Sequence, residues 1–193
     1  MQSVCVFCGS RPGEDPSHRA VAAEFGRLLA ASGRRLVFGG GDVGLMGDVS
    51  ASAYGAGGAV VGVIPASLME RELRHPPEVE LRVVRTMHER KALMVELSDG
   101  FVALPGGFGT LDELFEIVTW SQLGIHRKPV GLLNAGGFYD ALLAFLDQLV
   151  AAGFLLRRHR DLLIVADEPA ELLDRMERWV APDLAIWAEI DEV

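Results

Sequence analysis

The chain has 193 residues, half of them hydrophobic, and a net charge of −9 from 18 basic and 27 acidic side chains. Its length and apolar content suit one packed core, and its acidity argues against general nucleic-acid or membrane-surface binding, though not against a local basic pocket. No apolar stretch reaches bilayer-spanning length without a charge or turn residue, and MQSVCVFCGS lacks a signal peptide's basic start, so a cytoplasmic protein is expected.

Short apolar runs alternate with longer amphipathic ones. VCVFC (4–8) reads as the first strand. Asp15 then caps a helix with Pro16 at its first position, Val21, Phe25, Leu28, Leu29 and Ser32 marking one face and Gly33 suiting its end. Further strands are predicted at 35–38, 59–64, 80–84, 100–105, 129–133 and 161–165, with helices near 44–56, 86–97, 110–123, 138–151 and 168–180. Consecutive apolar positions suit strands buried on both faces. The alternation predicts an α/β, Rossmann-like doubly wound, mainly parallel sheet with helices on both faces. One domain spans 1–181, and 182–193 form a tail or short helix.

The two cysteines, Cys5 and Cys8, sit in a strand, where their spacing sends them to opposite faces. A redox pair belongs at a helix N-terminus. With no second Cys pair or paired histidines, no metal site is expected.

In such a sheet ligands bind beyond the C-terminal strand ends. Three strands run into glycine there: CGSRPG (8–13), GGGDVGLMG (39–47) and LPGGFG (104–109). Gly39, Gly41 and Gly44 spell a dinucleotide fingerprint. However, the next strand ends in VIPAS without the ribose-binding acid, which disfavours NAD, and no G-K-[ST] follows for an NTPase. One such loop reads equally as a turn. Three on one edge suggest backbone approach to a phosphate.

Two helix starts carry charge. Thr86 and Glu89 have the spacing of a capping box, and Arg90 falls on the same inward stripe as Leu93, Met94 and Leu97. A desolvated arginine calls for an anion or for a core carboxylate. Lys91 beside it reads equally as solvated. Thr110 and Glu113 form a second capping box, so Glu113 either folds back onto the helix start or serves a phosphate-bound ligand. Asp112 is a first-turn acid favourable to the helix dipole. Thr119 either faces the site or packs.

MHERK (87–91) and PGGFGTLDE (105–113) resemble the paired signatures M-H-x-R-K and P-G-G-x-G-T-x-x-E of the LONELY GUY (LOG) family, whose members are often labelled lysine decarboxylases. GGGDVGLMG and CVFCGS are similar to the corresponding segments, and the likeness runs from about Met1 to Ala151. It implies a Rossmann-like dimer that hydrolyses cytokinin riboside 5′-monophosphates to free base and ribose 5-phosphate. It also implies Arg90 and Glu113 as the catalytic pair. Nucleotide contacts are implied from Glu72, Lys91, Gly107, Phe108, Gly109, Thr110 and Thr119, with Gly106 joining the loop as phosphate anchor. Arg11 departs from the serine common in the family, so its role stays open. No cofactor is expected. A pyridoxal phosphate enzyme needs a Schiff-base lysine, and only Lys91 and Lys128 are available, neither in such a context. The alternatives are a general AMP or purine-nucleotide nucleosidase and a nucleotide-binding carrier without hydrolysis.

Overall fold

The computed structural model describes residues 1–72 and 79–182, with the backbone alone for 70–72. Seven strands form one sheet: β1 (Ser3–Phe7), β2 (Arg35–Phe38), β3 (Val60–Pro65), β4 (Glu80–Val84), β5 (Gly100–Ala103), β6 (Val130–Leu133) and β7 (Leu163–Ala166). Their order is β4-β3-β2-β1-β5-β6-β7, and every neighbouring pair is parallel. The helices are α1 (Pro16–Ala31), α2 (Gly44–Gly55), α3 (Ala66–Glu72), α4 (Met87–Glu96), α5 (Phe108–Gln122), α6 (Asp140–Ala151), α7 (Arg157–Arg160) and α8 (Pro169–Arg178). None of the described helices is long and apolar enough to cross a membrane.

Alternation along β1 assigns the two faces. Val4, Val6 and Cys8 enter one apolar cluster with Phe25 and Leu29 of α1, Val49 of α2 and Leu172 of α8. Cys5 and Phe7 enter the other, with Met94 of α4, Leu114 and Ile117 of α5 and Leu146 of α6. All five residues of β1 are buried, as a central parallel strand requires. Both thiols are buried and unpaired, and desolvation pushes each well above the ordinary cysteine range, which leaves them inert.

Local signals account for most element boundaries. Asp15 accepts from the Ser17 N–H at 2.8 Å and Pro16 opens α1 as predicted. The buried face of α1, however, is Ala22, Phe25, Gly26 and Leu29, one residue round from the expected stripe. Two short helices, α3 and α7, are additional to the sequence reading. The turn of α7 delays the last strand, which begins at Leu163 rather than Asp161. Of the segment expected to form the tail, 183–193 lie outside the described residues.

Strand order reverses between β1 and β5, so the loops after these two strands diverge to opposite faces and leave a crevice. The close packing of α1 on α2 beside it depends on Gly26, where an added Cβ would run into the backbone of Val49 and Ala53. Gly26→Val is expected to cost about 1–3 kcal/mol in denaturant unfolding, the usual range for overpacking. Gly55→Ala, with open space at the same position, should cost nothing measurable.

Candidate active site

Thr86 caps α4, its hydroxyl accepting from the Glu89 N–H at 3.1 Å. The Glu89 carboxylate turns one residue further back than a capping box predicts and accepts from the Arg85 N–H at 2.8 Å and from its guanidinium. This start carries Arg90 to the inward face with Met94, where both are buried. Arg90 Nε donates to the Val63 carbonyl at the end of β3 (3.0 Å), and Nη1 donates to Glu113 Oε1 (2.6 Å). The remaining nitrogen lies against Gly39 at the end of β2, where any Cβ would collide with it. The acid that meets Arg90 is thus the other charged residue singled out in the sequence, and it comes from a different helix.

The Thr110–Glu113 capping box does not form. Helix α5 begins at Phe108 behind Gly107, two residues earlier than predicted, and has no side-chain cap. Thr110 is therefore inside the first turn, buried, with its hydroxyl against Gly106, where a Cβ would overlap it. Glu113 is released from capping and reaches Arg90. Each of the two is only 8% exposed. Burial pushes the Glu113 carboxyl above the ordinary glutamate range, and the Arg90 charge pulls against it. At the start of α5, Gly107, Phe108 and Gly109 are exposed, and the space where Gly107 or Gly109 would carry a Cβ is open. Helix-start N–H groups without a side-chain cap are backbone donors of the kind that suit an anion.

The other candidates are distributed differently. Lys91 is held by α5 through Asp112 (3.2 Å) and Glu116 (2.8 Å). Burial lowers its pKa, but the ion pairs outweigh that and the net shift is upward. Glu116 was not singled out in the sequence, although its spacing of four from Asp112 puts both acids on one helix face. Thr119 donates to the Phe115 carbonyl (2.6 Å) and lines a separate groove of about 190 Å³ with Phe115, Leu146, Leu155 and His159. It is not brought to Arg90 and Glu113. The side chain of Glu72, at the end of α3, lies outside the described residues.

The three glycine loops interlock at the C-terminal edge of the sheet. Gly9 N donates to the Pro105 carbonyl (3.0 Å), and Gly9 O accepts from the Leu45 N–H (3.0 Å). Gly44 adopts φ +61° and presses on the Ser10–Arg11 peptide, which a side chain there would strike. Glycines 39 and 44 of this loop's fingerprint thus have packing reasons within the protein. Between the first and third loops lies a cavity of about 350 Å³, lined by Ser10, Arg11, His18, Gly106, Gly107 and Phe138 among others. It occupies the β1–β5 crevice, on the α1 side of the third loop.

A family model described as "possible lysine decarboxylase" matches residues 46–176. The rice (Oryza sativa subsp. japonica) protein named cytokinin riboside 5′-monophosphate phosphoribohydrolase LOG is 50% identical over 177 residues, covering 92% of this chain and 73% of its own. The chain belongs to the LOG family. An Arabidopsis thaliana member, the phosphoribohydrolase LOG7, is 45% identical over 196 residues, covering 98% of this chain and 90% of its own. The molybdenum cofactor binding protein of Rippkaea orientalis has the same fold, with a TM-score of 0.68, 24% identity, and coverage of 91% and 94% of the two chains. The decarboxylase description does not suit the residues of this LOG chain. A pyridoxal phosphate enzyme needs a lysine free to form an imine. Lys91 is ion-paired on both sides, and Lys128 Nζ donates to the Val95 carbonyl at 2.8 Å.

The buried pair generates a stability prediction. Arg90→Met or Glu113→Leu alone is expected to destabilise by about 3–5 kcal/mol, because each strands an uncompensated charge. The double variant should recover most of that loss in a double-mutant cycle read by urea unfolding.

Proposed function

We propose that this LOG chain hydrolyses the N-glycosidic bond of cytokinin riboside 5′-monophosphates in the cytoplasm, releasing the free base and ribose 5-phosphate. The observation that carries the reading is the buried Arg90–Glu113 pair beside an uncapped, glycine-lined helix start. Relatives about half identical over nine-tenths of the chain are named for this reaction.

In this reading Gly106, Gly107, Phe108, Gly109 and Thr110 hold the 5′-phosphate through the first-turn N–H groups of α5. Anchoring the phosphate fixes the ribose above Glu113, one and a half turns further along the helix. As the C1′–N bond breaks, its electron pair leaves with the base and positive charge develops on the ribose ring. The Glu113 carboxylate stabilises that charge, and Arg90, fixed by the Val63 carbonyl, orients the carboxylate. Water supplies the oxygen that bonds to C1′, and its proton ends on the departing base. Lys91 supports the arrangement by joining α4 to α5 through Asp112 and Glu116. Glu72 would complete the nucleotide contacts at the β3 side.

The purified protein is expected to release free base from N6-isopentenyl-AMP faster than from AMP, and to react poorly with the riboside lacking phosphate. Glu113→Gln should lower kcat by at least about a hundredfold, as loss of a catalytic carboxylate does. Because burial raises the Glu113 carboxyl and catalysis needs it ionised, kcat/KM should rise with pH through a value above the ordinary glutamate pKa of about 4.3. That limb should vanish in the variant. Wild-type kcat in Glu113→Gln would remove this residue from the chemistry.

We also propose a homodimer. Phe115 lines the α5–α6 groove and is 38% exposed, and Ile125 and Phe154, at 64% and 85%, lie just beyond the ends of these helices. Thr119 lines the same groove, so in this arrangement it would face the partner. Sedimentation at micromolar concentration should give twice the 20.9 kDa chain mass. Phe154→Asp with Ile125→Asp should give the monomer.

A further inference from the structure

The charges around the site do not balance for a phosphate dianion. Arg90 spends its guanidinium on Glu113 and the Val63 carbonyl. Lys91 is neutralised by Asp112 and Glu116. Neither cation is available to a phosphate without breaking an ion pair to a carboxylate, and the chain as a whole repels anions at −9.

Arg11 is different. It sits in the loop after β1 and lines the same crevice cavity as Gly106 and Gly107. Among the described residues it is the one arginine or lysine in that lining. Its exposed side chain makes no ion pair or hydrogen bond among the described residues. Its backbone is anchored, because Gly44 packs on the Ser10–Arg11 peptide and Gly9 is bonded to Pro105 and Leu45. The side chain is therefore exposed on an anchored backbone, in the lining of a cavity of about 350 Å³ that the glycine loop also lines. Glu14, also in the lining, forms no ion pair with it.

We infer that Arg11 is the cation that grips the substrate's 5′-phosphate from the β1 side of the crevice, opposite the Gly106–Gly107 loop. This rests on the phosphoribohydrolase reading above and adds to it a binding residue that acts on the phosphate alone. Arginine suits the task, since its planar donors pair two at a time with phosphate oxygens and its charge persists at all working pH.

The test compares wild type with Arg11→Met and Arg11→Lys, on N6-isopentenyl-AMP and on the riboside without phosphate. Arg11→Met should raise KM for the monophosphate by about tenfold or more, the worth of a charge-assisted contact, and change kcat less than about twofold. Its kcat/KM on the riboside should be that of wild type, and Arg11→Lys should recover part of the loss. Inhibition by inorganic phosphate should weaken in parallel. Unchanged KM and phosphate inhibition would overturn the assignment, as would an equal loss on both substrates, which would indicate a contact to the nucleoside. Calorimetric binding of ribose 5-phosphate to wild type and Arg11→Met separates this from the activity itself. If no base is released but ribose 5-phosphate binding depends on Arg11, the hydrolase reading fails and the phosphate contact stands. If ribose 5-phosphate binds both proteins equally, the contact is refuted whatever the activity.

Discussion

Burying a guanidinium against a carboxylate is the constraint around which this end of the molecule is built. Each ion alone would be costly to desolvate, and their attraction offsets the cost only where geometry and further hydrogen bonds are good. Here Arg90 satisfies Glu113 and the Val63 carbonyl together, so one side chain ties α4 to α5 and to the end of β3. Gly39 is part of the same arrangement, because the guanidinium occupies the space its side chain would need. The pair is almost wholly buried, and burial raises the Glu113 carboxyl. A carboxylate so poorly solvated interacts strongly with positive charge developing beside it.

The glycine loops around the pair divide between two physical tasks. Glycines 9, 39, 44 and 106 lie where protein atoms come too close for a Cβ, and they let three loops and a buried arginine pack into one edge. Gly107 and Gly109 face open space. Packing explains the first group without any ligand. The second group, at an uncapped helix start, has no such internal reason, and it is the part of the chain with backbone donors to offer.

Family membership and geometry constrain different things. Relatives at about half identity name the reaction, whereas the structural neighbours at 22–24% identity share the fold alone. The ion pairs of Lys91 and the hydrogen bond of Lys128 to the Val95 carbonyl argue against imine chemistry on independent grounds. The contrast between the paired Arg90 and Lys91 and Arg11, which is unpaired among the described residues, is visible only once all three are in place.

Strand and helix identity was written in the local sequence: apolar runs of strand length, Asp15 with Pro16 ahead of α1, and Thr86 ahead of α4 each act over a few residues and formed as read. The inward position of Arg90 was equally legible, because helical periodicity alone sets it on the stripe of Met94. The partner of Arg90 was not, since Glu113 lies 23 residues away on another helix and had a credible local alternative in Thr110. That alternative failed because Gly106 and Gly107 let α5 start two residues early, which took Thr110 out of the capping position. The pairing of Lys91 with Glu116, the removal of Thr119 to another groove and the placing of Arg11 across from Gly107 were likewise decided by the sheet order. Local sequence sets which face of an element a residue occupies. Only the β1–β5 reversal, a long-range pairing of strands nearly a hundred residues apart, sets which faces meet.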